Sequence, residues 1–441
     1  MKAIAACAGV ICAALFLFGS ERGYADQLGA SAKREIIDSV MNSFAQHYVY
    51  PEKVKELKAD IGKRYRAGTY DTIANLDEFV TRLSADMREI AGDRHIRIVL
   101  ANPKGESSIG DTLTDVQVAS RAAENFGFVK AERLDGNVGY LRFDMFDDAV
   151  YAGETAVAAL NFLSHCDAVI LDLRKNGGGY DSMVRLIASY FFRDAVEIGS
   201  LYFTENDSLE QSWTYSFVPG RKLYHADLYI LTSSATGSGA EAFTYGMKHI
   251  GRATVVGENT VGAAHWREYF ECPHLGIWIG IPIARPINPV TKSSWEKVGV
   301  MPDVPVPAAE ALAKAHMLAI ENFIAKCSDK DKRLRLNWAL TSIEAQSQPL
   351  VLTHDQLLEY VGLYDDSAAL VIRQGRLCYR YRDGTEYLLY PCTKDVFGFD
   401  VSDNDRLRVM RADNGDVAAF QIYRKSGYES KVKQRVGPWI E

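Results

Sequence analysis

Between residues 31 and 90, apolar side chains recur every three or four positions. Ile36, Ile37, Val40, Met41 and Phe44 make one stripe. Val54, Leu57 and Ile61 make a second behind Pro51, a residue suited to the first turn of a helix. Leu76, Val80, Leu83, Met87 and Ile90 make a third. The spacing predicts three helices ending at Ala91-Gly92. The period then drops to two through Asp93-Arg94-His95-Ile96-Arg97-Ile98-Val99, which predicts a strand. Residues 102–123 are polar and irregular and read as a connector.

Further on the pattern alternates between strands and helices. Residues 126–134 and 138–143 read as a hairpin about Asp135-Gly136, and 149–163 as a helix. Residues 168–173 are continuously apolar, as central parallel strands are, and run through Gly177-Gly178-Gly179 into a helix at 182–192. Residues 228–232 repeat the theme, with a small-residue turn at 233–239 and an amphipathic helix beginning near Ser238. Parallel pairing of these two units brings both turns to one sheet edge, where such folds form their sites. Strands at 254–257 and 277–283 come next, then a helix at 308–325. Residues 328–349 are charged and polar and read as a linker. Beyond them lie short strands with turns at Asp383-Gly384 and Asn414-Gly415, a small barrel or sandwich. A two-residue turn at Asp383-Gly384 would set Cys378 opposite Leu389.

The division expected is therefore 1–25 a signal peptide, 26–100 a helical domain, 101–327 an α/β core, 328–349 a linker and 350–441 a β module. Lys2, the apolar run from Ala3 to Phe18 and the small-residue site Gly23-Tyr24-Ala25 carry the first expectation, which implies export to the periplasm or medium. No later stretch is long and apolar enough to span a bilayer. The 441 residues include 24% charged side chains and carry a net charge of −7, which argues against nucleic acid as a partner. Five scattered cysteines lie beyond the signal, too irregular for a disulfide framework. No Cys/His spacing suggests zinc, and neither a dinucleotide nor a phosphate-loop fingerprint is present, so no metal or cofactor is expected.

The chemistry-bearing candidate is Ser238. A serine at a strand-to-helix turn meets unpaired N–H groups and the positive end of a helix dipole, which suits an oxyanion forming beside it. Gly239 and the triple-glycine turn can bring backbone amides close to a carbonyl. Ser233 and Ser234 are rival nucleophiles within or just after the strand. The residues alone leave His95 and His265 both open as the base, and Asp93 open as an aid to His95 or a partner for an arginine.

Several segments together resemble one family. They are Tyr48-Val49-Tyr50-Pro51-Glu52, Asp93-Arg94-His95, Val138-Gly139-Tyr140-Leu141, and Ile170-Leu171-Asp172-Leu173-Arg174-Lys175-Asn176-Gly177-Gly178-Gly179. Thr236-Gly237-Ser238-Gly239-Ala240-Glu241, Val256-Gly257-Glu258-Asn259-Thr260-Val261-Gly262 and Trp295-Glu296-Lys297-Val298-Gly299-Val300-Met301-Pro302-Asp303 complete the set. In that order they resemble the tail-specific (C-terminal-processing) serine peptidase superfamily, in the branch of interphotoreceptor retinoid-binding protein and the tricorn core peptidase. The resemblance implies a crotonase-like α/β core, Ser238 as nucleophile, His95 as base, Glu296 as its acidic partner, and Gly178 with Gly239 as the oxyanion hole. It implies a peptide or protein substrate and leaves the oligomeric state open. Ala263 stands where the tail-specific enzymes carry a catalytic lysine, and 101–126 is too short for their PDZ domain. Two other readings share the scaffold: a binding protein for an apolar ligand, and an esterase using the same triad.

Overall fold

The computed structural model describes residues 28–101, 113–365 and 368–439. The expected signal sequence and the first half of the polar connector lie outside them. Three helices, α1 (Ala30–His47), α2 (Pro51–Arg66) and α3 (Leu76–Ala91), open the chain. Asn75 caps α3 by accepting the Glu78 N–H, and Gly92 closes it in the left-handed region. Asp93 to Ile96 then form a turn, and the strand β1 begins only at Arg97 (Arg97–Leu100). The expected strand is thus half turn: Asp93 Oδ1 accepts the His95 N–H (3.0 Å), which bends the chain at the positions read as extended. The second half of the connector is helical rather than irregular. Thr114 and Gln117 form a capping box on α4 (Asp115–Ala123).

The centre is a six-stranded sheet. A hairpin, β2 (Phe128–Leu134) and β3 (Val138–Phe143), leads through α5 (Ala149–Phe162) to β4 (Ala168–Asp172) and α6 (Asp181–Ser189). Next come β5 (Glu197–Phe203) and β6 (Ser208–Trp213) of a second sheet, then β7 (Asp227–Thr232), α7 (Gly239–His249) and β8 (Ala253–Gly257). After β9 (Trp266–Cys272) and β10 (Ile277–Ile287), the short β11 (Val304–Pro305) completes the central order β11-β8-β7-β4-β3-β2. β4 and β7 are parallel neighbours, with Asp172 opposite Leu231, so the two glycine-bearing turns emerge side by side.

Both faces of this sheet are covered at its centre, which explains why β4 and β7 are hydrophobic at every position over 168–171 and 228–231. Val169, Leu171 and Ile230 point to the layer of α5, α6 and α7. Ala168, Ile170 and Leu231 point to α8 (Ala311–Lys326) and α9 (Lys330–Ser347). The stretch expected as a linker is therefore α9, whose Leu336, Ala339 and Ile343 help seal the second face. Its stripe is diluted by the charged residues between Lys330 and Glu344, so composition masked the period. The second sheet, β1-β10-β5-β6 with β9 also paired to β10, carries the α1–α3 helices against Ile277, Ile279 and Ile281.

After the short α10 (His354–Leu358), eight strands from Gly362 to Gly437 close into a barrel around Tyr360, Tyr364, Phe397 and Phe420. Cys378 lies opposite Leu388, one residue off the expected register, because Tyr381 and Thr385 pair across a three-residue turn. The barrel is joined to α9 through Arg406. Its guanidinium lies 4.0 Å from the Trp338 ring centroid and donates to Trp338 O (2.7 Å) and Ser342 Oγ (2.6 Å). No helix among the described residues is long and apolar enough to cross a membrane.

Arg406 is buried, so Arg406→Ala removes a stacked cation and two charge-assisted bonds without solvent to replace them. The expected cost is about 2–4 kcal/mol, read as a lower denaturant midpoint for barrel tyrosine and Trp338 fluorescence. An unchanged midpoint would mean that this contact does not hold the barrel to the core.

Candidate active site

Ser238 closes the turn after β7 with φ 50° and ψ −119°, a left-handed backbone that costs a non-glycine residue on the order of 1–3 kcal/mol. The helix beginning there leaves the Gly239 N–H without an intrahelical acceptor. The turn after β4 abuts it. A Cβ on Gly178 would sit 2.7 Å from Ser238 Cβ, and one on Gly239 would sit 3.0 Å from Gly179 N, so both positions need glycine. Asn176 shapes the first turn, donating to Phe143 O (2.9 Å) and accepting the Gly178 N–H (2.9 Å). That last bond bears on the expected oxyanion hole. The Gly178 amide is spent inside its own turn, whereas Gly179 borders the cavity and its N–H has no acceptor among the described residues.

The strained serine is held by Glu241, fully buried at the start of α7. Its carboxylate accepts Ser238 N–H (2.9 Å), Thr260 Oγ–H (2.5 Å), Gly262 N–H (2.6 Å) and Ala263 N–H (3.0 Å). Burial raises its pKa while these four donors pull the other way. One carboxylate thereby ties the serine turn to the loop that carries His265. Residue order puts Glu241 in the serine motif without giving it a role. Its place three residues after a turn serine is the signal that could have found it.

His265 and His95 meet around Asp93. His265 Nδ1 donates to Asp93 Oδ2 (2.7 Å), and its Nε2 lies 3.2 Å from the Tyr50 hydroxyl. Tyr48 also donates to Asp93 Oδ2 (3.3 Å). Burial opposes the charge on Asp93, yet the bond and charge of His265 outweigh it and hold the carboxyl below its ordinary pKa. His95 Nδ1 faces Asp93 Oδ1 at 4.0 Å and has no hydrogen-bond partner, while the ring borders the cavity. Burial pushes its pKa down to about 4. Glu296, expected beside His95, instead accepts the Ala264 N–H (2.7 Å) and lies 3.8 Å from His265 Nδ1. Asp93, two residues before His95 and bent back by the turn, is the carboxylate that faces that ring, at 4.0 Å.

Ser238, His95, His265, Gly179 and Gly239 all line one cavity of about 540 Å³. Neither imidazole hydrogen-bonds the Ser238 hydroxyl. Ser233 donates to Arg174 O instead (2.5 Å), and neither Ser233 nor Ser234 borders the cavity. Asp93, His265 and Glu296 present ligand-type atoms within 4.8 Å of one another, the set among the described residues in which a cation could sit. The 2.7 Å His265–Asp93 separation is that of a hydrogen bond.

Comparison with known proteins matches residues 137–306 to peptidase family S41, and residues 30–125 to the N-terminal domain of peptidase S41 in eukaryotic IRBP. Together these cover more than half of the chain. The carboxyl-terminal-processing protease of Picosynechococcus sp. is 30% identical over 202 residues, 45% of this chain and 46% of that protein. The protein of the same name from Synechocystis sp. is 28% identical over 169 residues, 38% and 37% of the two chains. The chain thus spans less than half the length of these relatives. A lipoprotein from Streptococcus agalactiae follows a similar course at TM-score 0.47, with 16% identity over 66% of this chain and 96% of that one.

Glu241→Gln replaces an acceptor of four donors with an amide that must turn an N–H toward one of them. It is expected to destabilise the protein by about 2–4 kcal/mol and to loosen the serine turn, seen as faster hydrogen exchange at residues 238–242 and 260–264. His95 is expected to stay neutral in its NMR titration down to about pH 4. Because its folded pKa lies below the unfolded value, the unfolded chain takes up the proton first. The stability of wild type relative to His95→Gln should therefore decline as pH falls from about 6.5 toward 4.

Proposed function

The chain belongs to peptidase family S41, and from that membership we propose that it is an exported serine peptidase working through Ser238 and an acyl-enzyme. The observation that carries this reading is the strained serine at a helix start, with the Gly239 and Gly179 amides on the same cavity. In the proposed cycle His95 takes the Ser238 proton, the hydroxyl attacks a peptide carbonyl, and the two amides bind the oxyanion. Donation from His95 to the leaving amine gives the acyl-enzyme, which water then hydrolyses by the same steps in reverse roles.

His95 is preferred to His265 because its ring nitrogens are uncommitted, whereas His265 has one nitrogen on Asp93 and the other at Tyr50. Asp93 takes the orienting role expected of Glu296, and the 4.0 Å separation is of the loose kind that tightens when substrate binds. Glu296 then belongs with His265. The repeated strand–turn–helix units support a crotonase-like core. The relatives' name favours cleavage toward a substrate's carboxyl end. The Gly23-Tyr24-Ala25 site supports removal of the leader and a mature chain beginning at Asp26.

A fluorophosphonate probe is expected to label the wild type and not Ser238→Ala. Labelling that persists in Ser238→Ala would remove the proposed nucleophile, and an unlabelled, folded wild type would favour a binding protein. His95→Ala should lower kcat/KM for a peptide by roughly 10²–10⁴-fold. Since the imidazole must be neutral to act, activity should hold through mildly acid solution and fall only as pH drops through about 4. An acid limb that survives unchanged in His95→Ala would transfer the role to His265.

A further inference from the structure

The lining of the cavity carries positive charge on a protein whose net charge is −7. Arg94, Arg97 and Arg267 line it, and Asp181 is the one carboxylate that does so among the described residues. Asp93 and Glu296 lie behind the histidines and do not border the space. Arg267 is committed: its guanidinium stacks on Tyr269 (4.8 Å) and reaches toward His95 O (3.5 Å). Arg94 and Arg97 are exposed, and neither forms an ion pair or side-chain hydrogen bond among the described residues. They flank His95 in sequence, one in the Asp93–Ile96 turn and one at the first position of β1. A buried polypeptide surface would pair such groups; a surface left unpaired beside a reactive serine is fit to pair with something that arrives.

From this geometry we infer that the cavity has an anion subsite, Arg94 and Arg97, which selects peptides carrying a carboxylate close to the bond cleaved. The inference rests on the peptidase reading above and adds the substrate class. A guanidinium matches a carboxylate with two parallel N–H···O bonds, so the subsite gives register as well as attraction. A cleft of one sign with low-dielectric walls also concentrates ligands of the other sign. Two sources share this chemistry: an Asp or Glu side chain, and the free carboxyl end of the peptide.

The test uses the full-length processed protein and matched peptides. In one series Glu replaces Gln at each position flanking the cleaved bond; in the other a free carboxyl end replaces a carboxamide. Wild type is expected to favour the charged member of at least one pair by roughly tenfold in kcat/KM, a preference that shrinks as salt is raised. A Glu-over-Gln preference assigns the subsite to a side chain, and a free-over-amidated preference assigns it to the chain end. In Arg94→Gln with Arg97→Gln the ratio should fall toward one, and Arg97→Glu should turn the preference toward a Lys-bearing peptide. Because each ratio is internal to one protein, partial loss of folded enzyme does not alter it. Ratios within about twofold in a wild type that fluorophosphonate labels at Ser238 would overturn the subsite and leave the peptidase. Full preference retained in the double variant would overturn the assignment to these arginines. Absence of both labelling and cleavage in folded wild type would overturn both readings together.

Discussion

The buried carboxylate of Glu241 is the constraint on which the site depends. An isolated ion at that depth would be prohibitive, and four donors make it tolerable. Each of those donors is a backbone or hydroxyl group that would itself be costly to bury unpaired. The arrangement is therefore mutual: the carboxylate needs the loop at 260–263 in place, and the loop needs the carboxylate. Ser238 sits on the same acceptor, so its left-handed backbone is sustained by interactions reaching well beyond its own turn. Loosening any one of them releases strain at the hydroxyl.

The parallel neighbours β4 and β7 supply the other half of the geometry. Their turns touch through glycines, with the Asn176 side chain shaping one and Glu241 the other. Gly237 N–H donates to Asn176 O (3.1 Å) and Thr236 Oγ1 to Leu173 O (2.8 Å), so the two turns move as one body. Two free amides on one wall of a cavity result from that contact. The histidines come from elsewhere, on the turn before β1 and the loop before β9, and Asp93 is the group that brings them together.

Much of this was legible in residue order. Helical stripes gave α1 to α3, continuous apolar runs gave β4 and β7, and small residues after each strand marked the two turns. Period and composition could not give pairing across the chain. Glu296 falls beside His265, held by the Ala264 N–H, while Asp93 bends back toward His95 within its own turn, which a two-residue periodicity through positions 93–99 concealed. Gly178 and Gly179 are equivalent as letters. They differ because the Asn176 side chain captures one amide and not the other. The helix α9 was hidden by its charges, although Leu336, Ala339 and Ile343 keep helical spacing.

On the proposed reading, the low basicity of His95 poses a physical question, since an imidazole with a pKa near 4 is a poor acceptor for a serine proton. The same burial supplies the answer. Desolvation lowers the pKa by disfavouring imidazolium, but it also strengthens attraction to any nearby charge, because the effective dielectric is low. Asp93 is that charge, held ionised by His265 and oriented by the Tyr48 hydroxyl. As the proton moves onto His95 and a substrate closes the cavity, shortening the 4.0 Å separation to a hydrogen bond stabilises the ion pair when it forms and not before. His265 competes for the same carboxylate through its other oxygen. The hydrogen bond it makes there draws on carboxylate charge that would otherwise face His95. Two histidines on one aspartate make a graded arrangement: one ring fixes the carboxylate, and the other draws on it during the reaction.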